Sequence, residues 1–393
     1  MKLPILLILA ISLPTSFQQP SQRGRNRSFL DTRIASLLRQ MIEPICNSMP
    51  RQESDGGKSS GKVVIAHRGA SGYLPEHSME SKVMAFQMGA DYIEQDLTIT
   101  RDDQIIISHD IYLETVTDVA SLFPERMRED GHFYTVDFDL EEIRQLRATE
   151  LFDTDENGLQ TQTYPIRFPL WQSRFHVHTF EEEIELIQGL NKVMGKEVGI
   201  YPEIKKPWFY HREGKDLARK ALEILKKYGY TRRSSPIYLQ CFDTNELKRI
   251  RTELFPEFGM NIKLVQLMAE TSWNETFEVK NGVFQPYNCD WMYEKDGMKK
   301  LSYFVDGIGP WYPMLVKAGA TKGKIRYTDM VPKAHANGLK VHPYTFRADQ
   351  HKIPEYCDTF DDMLDIFLDR GGADGAFTDF PDLVLKWRAE RYG

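Results

Sequence analysis

From residue 62 to the end of the chain, short apolar runs of strand length alternate with amphipathic helical patterns, and this rhythm restricts the folds open to it. Val63-Val64-Ile65-Ala66 is a continuous apolar run of the kind covered on both faces in a parallel sheet. Comparable runs fall at 91–96, 105–107, 198–205, 237–242, 262–267, 305–309, 339–346 and 375–379. Helical stretches separate most of them. Ser78 is placed to cap the first, whose stripe is Met79, Val83, Phe86 and Ala90. Thr179-x-x-Glu182 is a capping box opening a helix with Ile184, Ile187, Leu190 and Met194 on one face. Later helical patterns stop at Gly229, Gly338 and Gly371, normal C-terminal signals. About eight strands alternating with helices predict an α/β fold, a (β/α)8 TIM-type barrel in a single domain. A doubly wound sheet competes, but no G-x-G-x-x-G turn supports its nucleotide-binding form.

The apolar runs end in side chains that carry chemistry. The first delivers His67 and Arg68, and the second carries Glu94 and Asp96, which the strand period of two puts on one face. The run at 105–107 leads to His109, and the next pairs Glu203 with Lys205 on one face. Gln240, Phe242, Tyr344, Phe346 and Asp379 lie at or near later ends. In a barrel the C-terminal ends of the strands converge, so these residues meet. Burying adjacent carboxylates is costly unless a cation or donors compensate. Glu94, Asp96 and Glu203 form an all-oxygen set, which suits Ca²⁺ or Mg²⁺ better than zinc. Arg68 and Lys205 add positive charge for an anionic group, and two histidines allow acid–base work. His77 is a secondary candidate, since a histidine at a helix entry is more often structural.

The remaining features bound the setting. With 393 residues, 41% hydrophobic and 27% charged, the chain can build one large barrel. Its net charge of −7 argues against nucleic acid as a partner, and no run after the N-terminus is long and apolar enough to span a bilayer. Residues 1–18 read as a signal peptide, with Lys2 ahead of an apolar stretch, which predicts a secreted or periplasmic protein. Residues 19–61 read as a flexible polar tail holding a short amphipathic helix at 31–42, and the barrel occupies 62–393. Cys46, Cys241, Cys289 and Cys357 match no zinc pattern and allow up to two disulfides, although Cys241 reads equally as a free buried thiol. Asn26 and Asn274 open glycosylation acceptor motifs. The segment at about 111–174 is too long for an ordinary connection and is expected to be an insertion capping the barrel mouth.

The run HRGASGYLPEHSMESKVMAFQMGADYIEQDLTITRDDQIIISHD closely resembles the glycerophosphodiester phosphodiesterase family, nearest its long secreted or periplasmic branch. The resemblance extends over nearly the whole chain after residue 61. It implies hydrolysis of a small-molecule glycerophosphodiester to glycerol 3-phosphate and an alcohol. His67 and His109 would be the acid–base pair, in either order. The same resemblance marks Glu94, Asp96 and Glu203 as metal ligands, with Ca²⁺ first and Mg²⁺ second. Arg68 and Lys205 would hold the phosphate, and Gln240, Phe242, Tyr344 and Phe346 would line the pocket. Headgroup choice would rest on the insertion and on aromatics around Trp291 and Trp311. Two alternatives are a sphingomyelinase-D-like phospholipase, which needs an open apolar mouth, and a non-catalytic secreted surface or binding protein on the same fold. Oligomeric state is not legible.

Overall fold

The computed structural model describes residues 61–393. The signal peptide, the helix at 31–42, Asn26 and Cys46 lie outside the described residues, as does the tail up to residue 60. In chain order the strands are β1 (Val63–Ala66), β2 (Tyr92–Ile99), β3 (Ile105–Ile107), β4 (Phe152–Thr154), β5 (Gln160–Gln162), β6 (Gly199–Ile204) and β7 (Tyr238–Cys241). They continue with β8 (Lys263–Met268), β9 (Phe277–Lys280), β10 (Val283–Pro286), β11 (Gly307–Pro310), β12 (Lys340–Val341) and β13 (Gly375–Thr378).

Eight of these strands form one parallel sheet in the order β12-β11-β8-β7-β6-β2-β1-β13. Backbone hydrogen bonds bring its two ends together: Asp374 N–H donates to the Val341 carbonyl at 2.8 Å, Phe377 to Pro343 at 3.1 Å and Phe346 to Phe377 at 2.8 Å. The sheet is therefore the expected (β/α)8 barrel. One expected barrel strand belongs elsewhere. β3 pairs antiparallel with β2, matching Leu97 with Ile107 and Ile99 with Ile105. The turn between them is too short for the crossover that a parallel pairing needs, so the chain doubles back as a hairpin. His109 consequently reaches the site from the loop after a hairpin, not from the end of a barrel strand.

Strand alternation sorts the side chains. Val64 and Ala66 face outward into the main core between barrel and helices, while Ile65, Tyr201, Val265 and Phe377 fill the interior. Tyr201 and Tyr238 stack there at 5.0 Å between ring centroids, and Phe377 meets Tyr201 edge-on at 4.9 Å. This packed layer is the floor on which the polar residues stand. The helices that hold the strands in place start and stop where their chemistry dictates. Ser78 accepts from the Ser81 N–H and Gly89 ends that helix at φ 98°, and Thr179 and Glu182 cap each other's backbone at the start of Phe180–Met194. Between β3 and Thr179, the chain folds over a small core of its own that includes Leu113, Phe133, Phe138 and Ile143, with the β4–β5 hairpin beyond it. Cys241, Cys289 and Cys357 are all free thiols. No helix among the described residues is long and apolar enough to cross a membrane.

Candidate active site

A single cavity at the C-terminal ends of the strands is lined by His67, Arg68, Glu94, Asp96, His109 and Glu203, with Lys205 beside them. Phe242 and Tyr344 also line it. The turn after β1 makes this approach possible. Arg68 sits in the left-handed region at φ 58° and Gly69 follows at φ 92°. A Cβ on Gly69 would come 2.4 Å from Ser81 Oγ, so only glycine lets the turn pack on the first helix. The bent backbone aims the Arg68 N–H at Glu94 Oε2, 2.9 Å away.

The three carboxylates are buried, and each contributes an oxygen to a group whose members lie within 4.8 Å of one another. Their environment is arranged for this. Gln240 donates to Glu94 Oε1 at 2.9 Å, and His77 Nε2 lies 2.8 Å from Asp96 Oδ2. Lys82 donates to His77 Nδ1 at 3.2 Å, which leaves the His77 proton on Nε2 and makes that ring a donor to Asp96. The same ammonium donates to the Glu94 carbonyl and pairs with Glu183 at 3.1 Å. Burial drives His77 down to about 4, with Lys82 acting in the same direction. Burial, Asp96 and Glu203 push Glu94 well above the usual carboxylate range. Burial likewise lifts Glu203 to about 8 in spite of Lys205, whose Nζ is 2.9 Å from Glu203 Oε1. For Asp96, burial acts upward but Lys205 and His77 hold the group well below its ordinary value. Asp96 Oδ1 is buried with no hydrogen-bond partner. Converging carboxylates with a bare oxygen fit a hard divalent cation. A second acidic group, His211, Asp216 and Glu246, does not, because the Arg249 guanidinium already bridges Asp216 and Glu246 at 2.6 Å each.

The two histidines differ in setting. His67 Nδ1 lies 2.6 Å from Asp379 Oδ1, so the ring donates there and turns Nε2 toward the cavity. The other oxygen of Asp379 accepts from Arg347 Nε at 2.8 Å and from Arg167 Nη2 at 2.7 Å. Burial lowers His67 to about 3, with Arg68 adding to the effect and Asp379 opposing it. His109 is 34% exposed, with Nδ1 3.4 Å from Asp110 Oδ2. Burial alone would raise Asp110, but His109 and Lys205 bring it far below the normal range. For Lys205, burial acts downward and is outweighed by Glu203 and Asp96, so the ammonium stays charged. The Arg68 guanidinium is held by Glu76 at 2.6 Å.

Two residues expected in the pocket lie outside it. Phe346 is fully buried against Tyr312 and Phe367 in the outer core, because strand alternation does not continue past Val341. Gln240 lies beneath the cavity as the brace of Glu94. Trp291 donates its indole N–H to the Tyr287 hydroxyl at 3.1 Å, while Trp273 joins Trp311 at the mouth, their rings 5.4 Å apart and nearly perpendicular. Sequence reasoning missed Arg347, Lys206, Glu275 and Trp273 as lining residues. It also missed Glu76 and Arg167, and it saw Asp379 only as a strand-end residue. Arg347 and Lys206 each follow a residue already singled out, which was the available signal.

The Glycerophosphoryl diester phosphodiesterase family model matches residues 67–383. A glycerophosphodiester phosphodiesterase of Haemophilus influenzae is 49% identical over 360 residues, 91% of this chain and 98% of the relative. One from Treponema pallidum is 46% identical, covering 84% of this chain and 93% of the relative. Among solved structures, one from Silicibacter pomeroyi superposes with TM-score 0.58 at 20% identity, covering 85% of this chain and 95% of that one. A phosphodiesterase from Oleispira antarctica, solved with its product sn-glycerol-3-phosphate, gives 0.53 at 20% identity over 83% and 96%. Those two likenesses speak to the fold, whereas the sequence matches run through the site itself. On these matches, the chain belongs to the glycerophosphoryl diester phosphodiesterase family.

Proposed function

We propose that this phosphoric diester hydrolase cleaves glycerophosphodiesters to glycerol 3-phosphate and an alcohol, with His67 as general base and His109 as general acid. The observation that carries the reading is the shared cavity, in which two imidazoles, three carboxylates and two fixed cations face the same space. Glu94, Asp96 and Glu203 would hold a divalent cation, Ca²⁺ or Mg²⁺, which when bound supplies positive charge to the phosphoryl oxygens. Arg68 and Lys205 bind and orient the phosphate, and their charge stabilises the extra negative charge that develops at phosphorus. His67 is neutral, keeping its Nδ1 proton in a hydrogen bond to Asp379, so Nε2 is free to take the proton of the attacking oxygen. His109 lines the same cavity beside the Asp110 carboxylate, where it can give a proton to the leaving alkoxide. Trp273, Trp311, Phe242 and Tyr344 form the wall available to the headgroup.

A coupled assay for glycerol 3-phosphate over several glycerophosphodiesters, with a parallel assay for choline released from lysophosphatidylcholine, tests this reading. Release of glycerol 3-phosphate from the deacylated substrates alone is expected. Turnover confined to lysophosphatidylcholine would favour the phospholipase alternative, and no turnover of either would favour a binding protein.

A further inference from the structure

The segment between β3 and the helix Phe180–Met194 buries one side chain against the loops at the C-terminal ends of β1 and β13. The Arg167 side chain is only 4% exposed, and all three of its nitrogens are engaged. Nε and Nη2 donate to the two oxygens of Asp349 at 3.1 and 2.6 Å, and Nη1 donates to the Ser71 carbonyl at 3.3 Å. Nη2 also donates to Asp379 Oδ2 at 2.7 Å, and the guanidinium lies 3.7 Å from the Tyr164 ring centroid. Asp379 presents its other oxygen, Oδ1, to His67 Nδ1 at 2.6 Å. An unbroken run of short contacts thus leads from the segment to the imidazole, through Arg167 and Asp379.

Asp379 has a second cationic partner in Arg347, but the two arginines are not equivalent. Arg347 lines the cavity, its side chain is 23% exposed, and its one hydrogen bond to Asp379 leaves most of the guanidinium able to turn toward an anion. Arg167 does not reach the cavity and is fixed on every side. A planar fork that serves two carboxylates at once is a geometry that lysine cannot reproduce. The carboxylate partner of a catalytic imidazole sets its tautomer and orientation, so whatever fixes that carboxylate fixes the base.

We propose that Arg167 is a positioning residue for His67, acting through Asp379, so that the segment carrying it helps complete the active site. This rests on the phosphodiesterase reading, with His67 as the base. Arg167→Ala is expected to lower kcat about 10- to 100-fold, part of the 10²- to 10⁴-fold that a general base contributes, with KM changed less than about threefold. Arg167→Lys should show a similar loss, and guanidinium ion added to Arg167→Ala should restore part of the rate. On an Asp379→Asn background, Arg167→Ala should cost less than about twofold more, since both changes break one chain of contacts.

An independent readout is the ¹⁵N spectrum of the imidazoles, which reports the His67 tautomer whether or not the protein turns over. The wild type should show the Nδ1–H form, and Arg167→Ala a mixture. A variant with lower thermal stability but unchanged kcat and an unchanged His67 signal would overturn the proposal, leaving Arg167 as a clasp between segment and barrel. Additive losses in the double variant would also overturn it. If Arg167→Ala fails to fold, Arg167→Lys carries the same two readouts. Absence of turnover in the wild type would instead refute the phosphodiesterase reading, while the tautomer comparison would still decide the positioning role.

Discussion

Burial and mutual repulsion raise two of the three clustered carboxyls, so binding of a divalent cation should expel protons. Glu203 is lifted to about 8 and Glu94 well above its ordinary range, while Asp96 stays ionised. At pH 7 a carboxyl at about 8 holds its proton roughly nine-tenths of the time, and releasing it costs about 1.4 kcal/mol for each pH unit below that value. A cation needs the ionised form, so it competes with the proton. Affinity should therefore rise about tenfold from pH 6 to 7 and about fivefold from pH 7 to 8 if Glu203 alone is linked, and more steeply if Glu94 joins it. Isothermal titration of Ca²⁺ at pH 7, in buffers of different ionisation enthalpy, should count between one and two protons released per ion. The sign carries over to stability. An acid whose pKa is raised in the folded state makes the chelated protein less stable as pH climbs from the unfolded carboxylate pKa toward 8, and a bound ion should remove that loss. Ca²⁺ affinity that is flat from pH 6 to 8, with no protons released, would mean that these carboxyls hold no proton for the cation to displace.

Three further outcomes are expected. His67→Ala and His109→Ala should each lower kcat about 10²- to 10⁴-fold, and a loss under tenfold in either would remove that residue from the acid–base pair. Glu150 is raised to about 8, chiefly by burial and then by Glu76, and its Oε2 has no partner. Its proton leaves first in the unfolded chain, so it destabilises the fold as pH rises from about 4.5 toward 8, by on the order of 3 kcal/mol at pH 7. Denaturant titrations at pH 5 and pH 8 should show Glu150→Gln losing less stability between them than wild type, and parallel losses would contradict this. Trp311→Ala and Trp273→Ala should change relative rates among headgroups while leaving some turnover, and uniform effects across headgroups would place them outside the substrate wall.

What could be read from the sequence was what strand periodicity controls. Glu94 with Asp96, and Glu203 with Lys205, share a face because successive interior positions are two residues apart, and both pairs line the cavity. His67 followed from the end of β1 in the same way. The same rule failed past Val341, where the regular strand stops, so Tyr344 lines the cavity while Phe346 turns into the outer core. His109 was identified as a site residue, but its route was not, because a run of three isoleucines does not distinguish a barrel strand from the return arm of a hairpin. Arg167 was the hardest to see. It lies in an irregular stretch with no period, and its contacts with Asp349 and Asp379 span 182 and 212 residues. His77 could be weighed only as an isolated histidine, since its role depends on Lys82 and Asp96 closing on it in space.

In the proposed mechanism, three buried acids hold a divalent cation beside two imidazoles at a phosphodiester. Glycerol 3-phosphate release from glycerophosphocholine should be followed in protein stripped with chelator and then titrated with Ca²⁺. Activity should be lost on stripping and return with the added ion, and Asp96→Asn should stay inactive at saturating Ca²⁺. Full turnover in excess chelator, or an Asp96→Asn protein as active as wild type, would show that no cation at these acids takes part in the reaction.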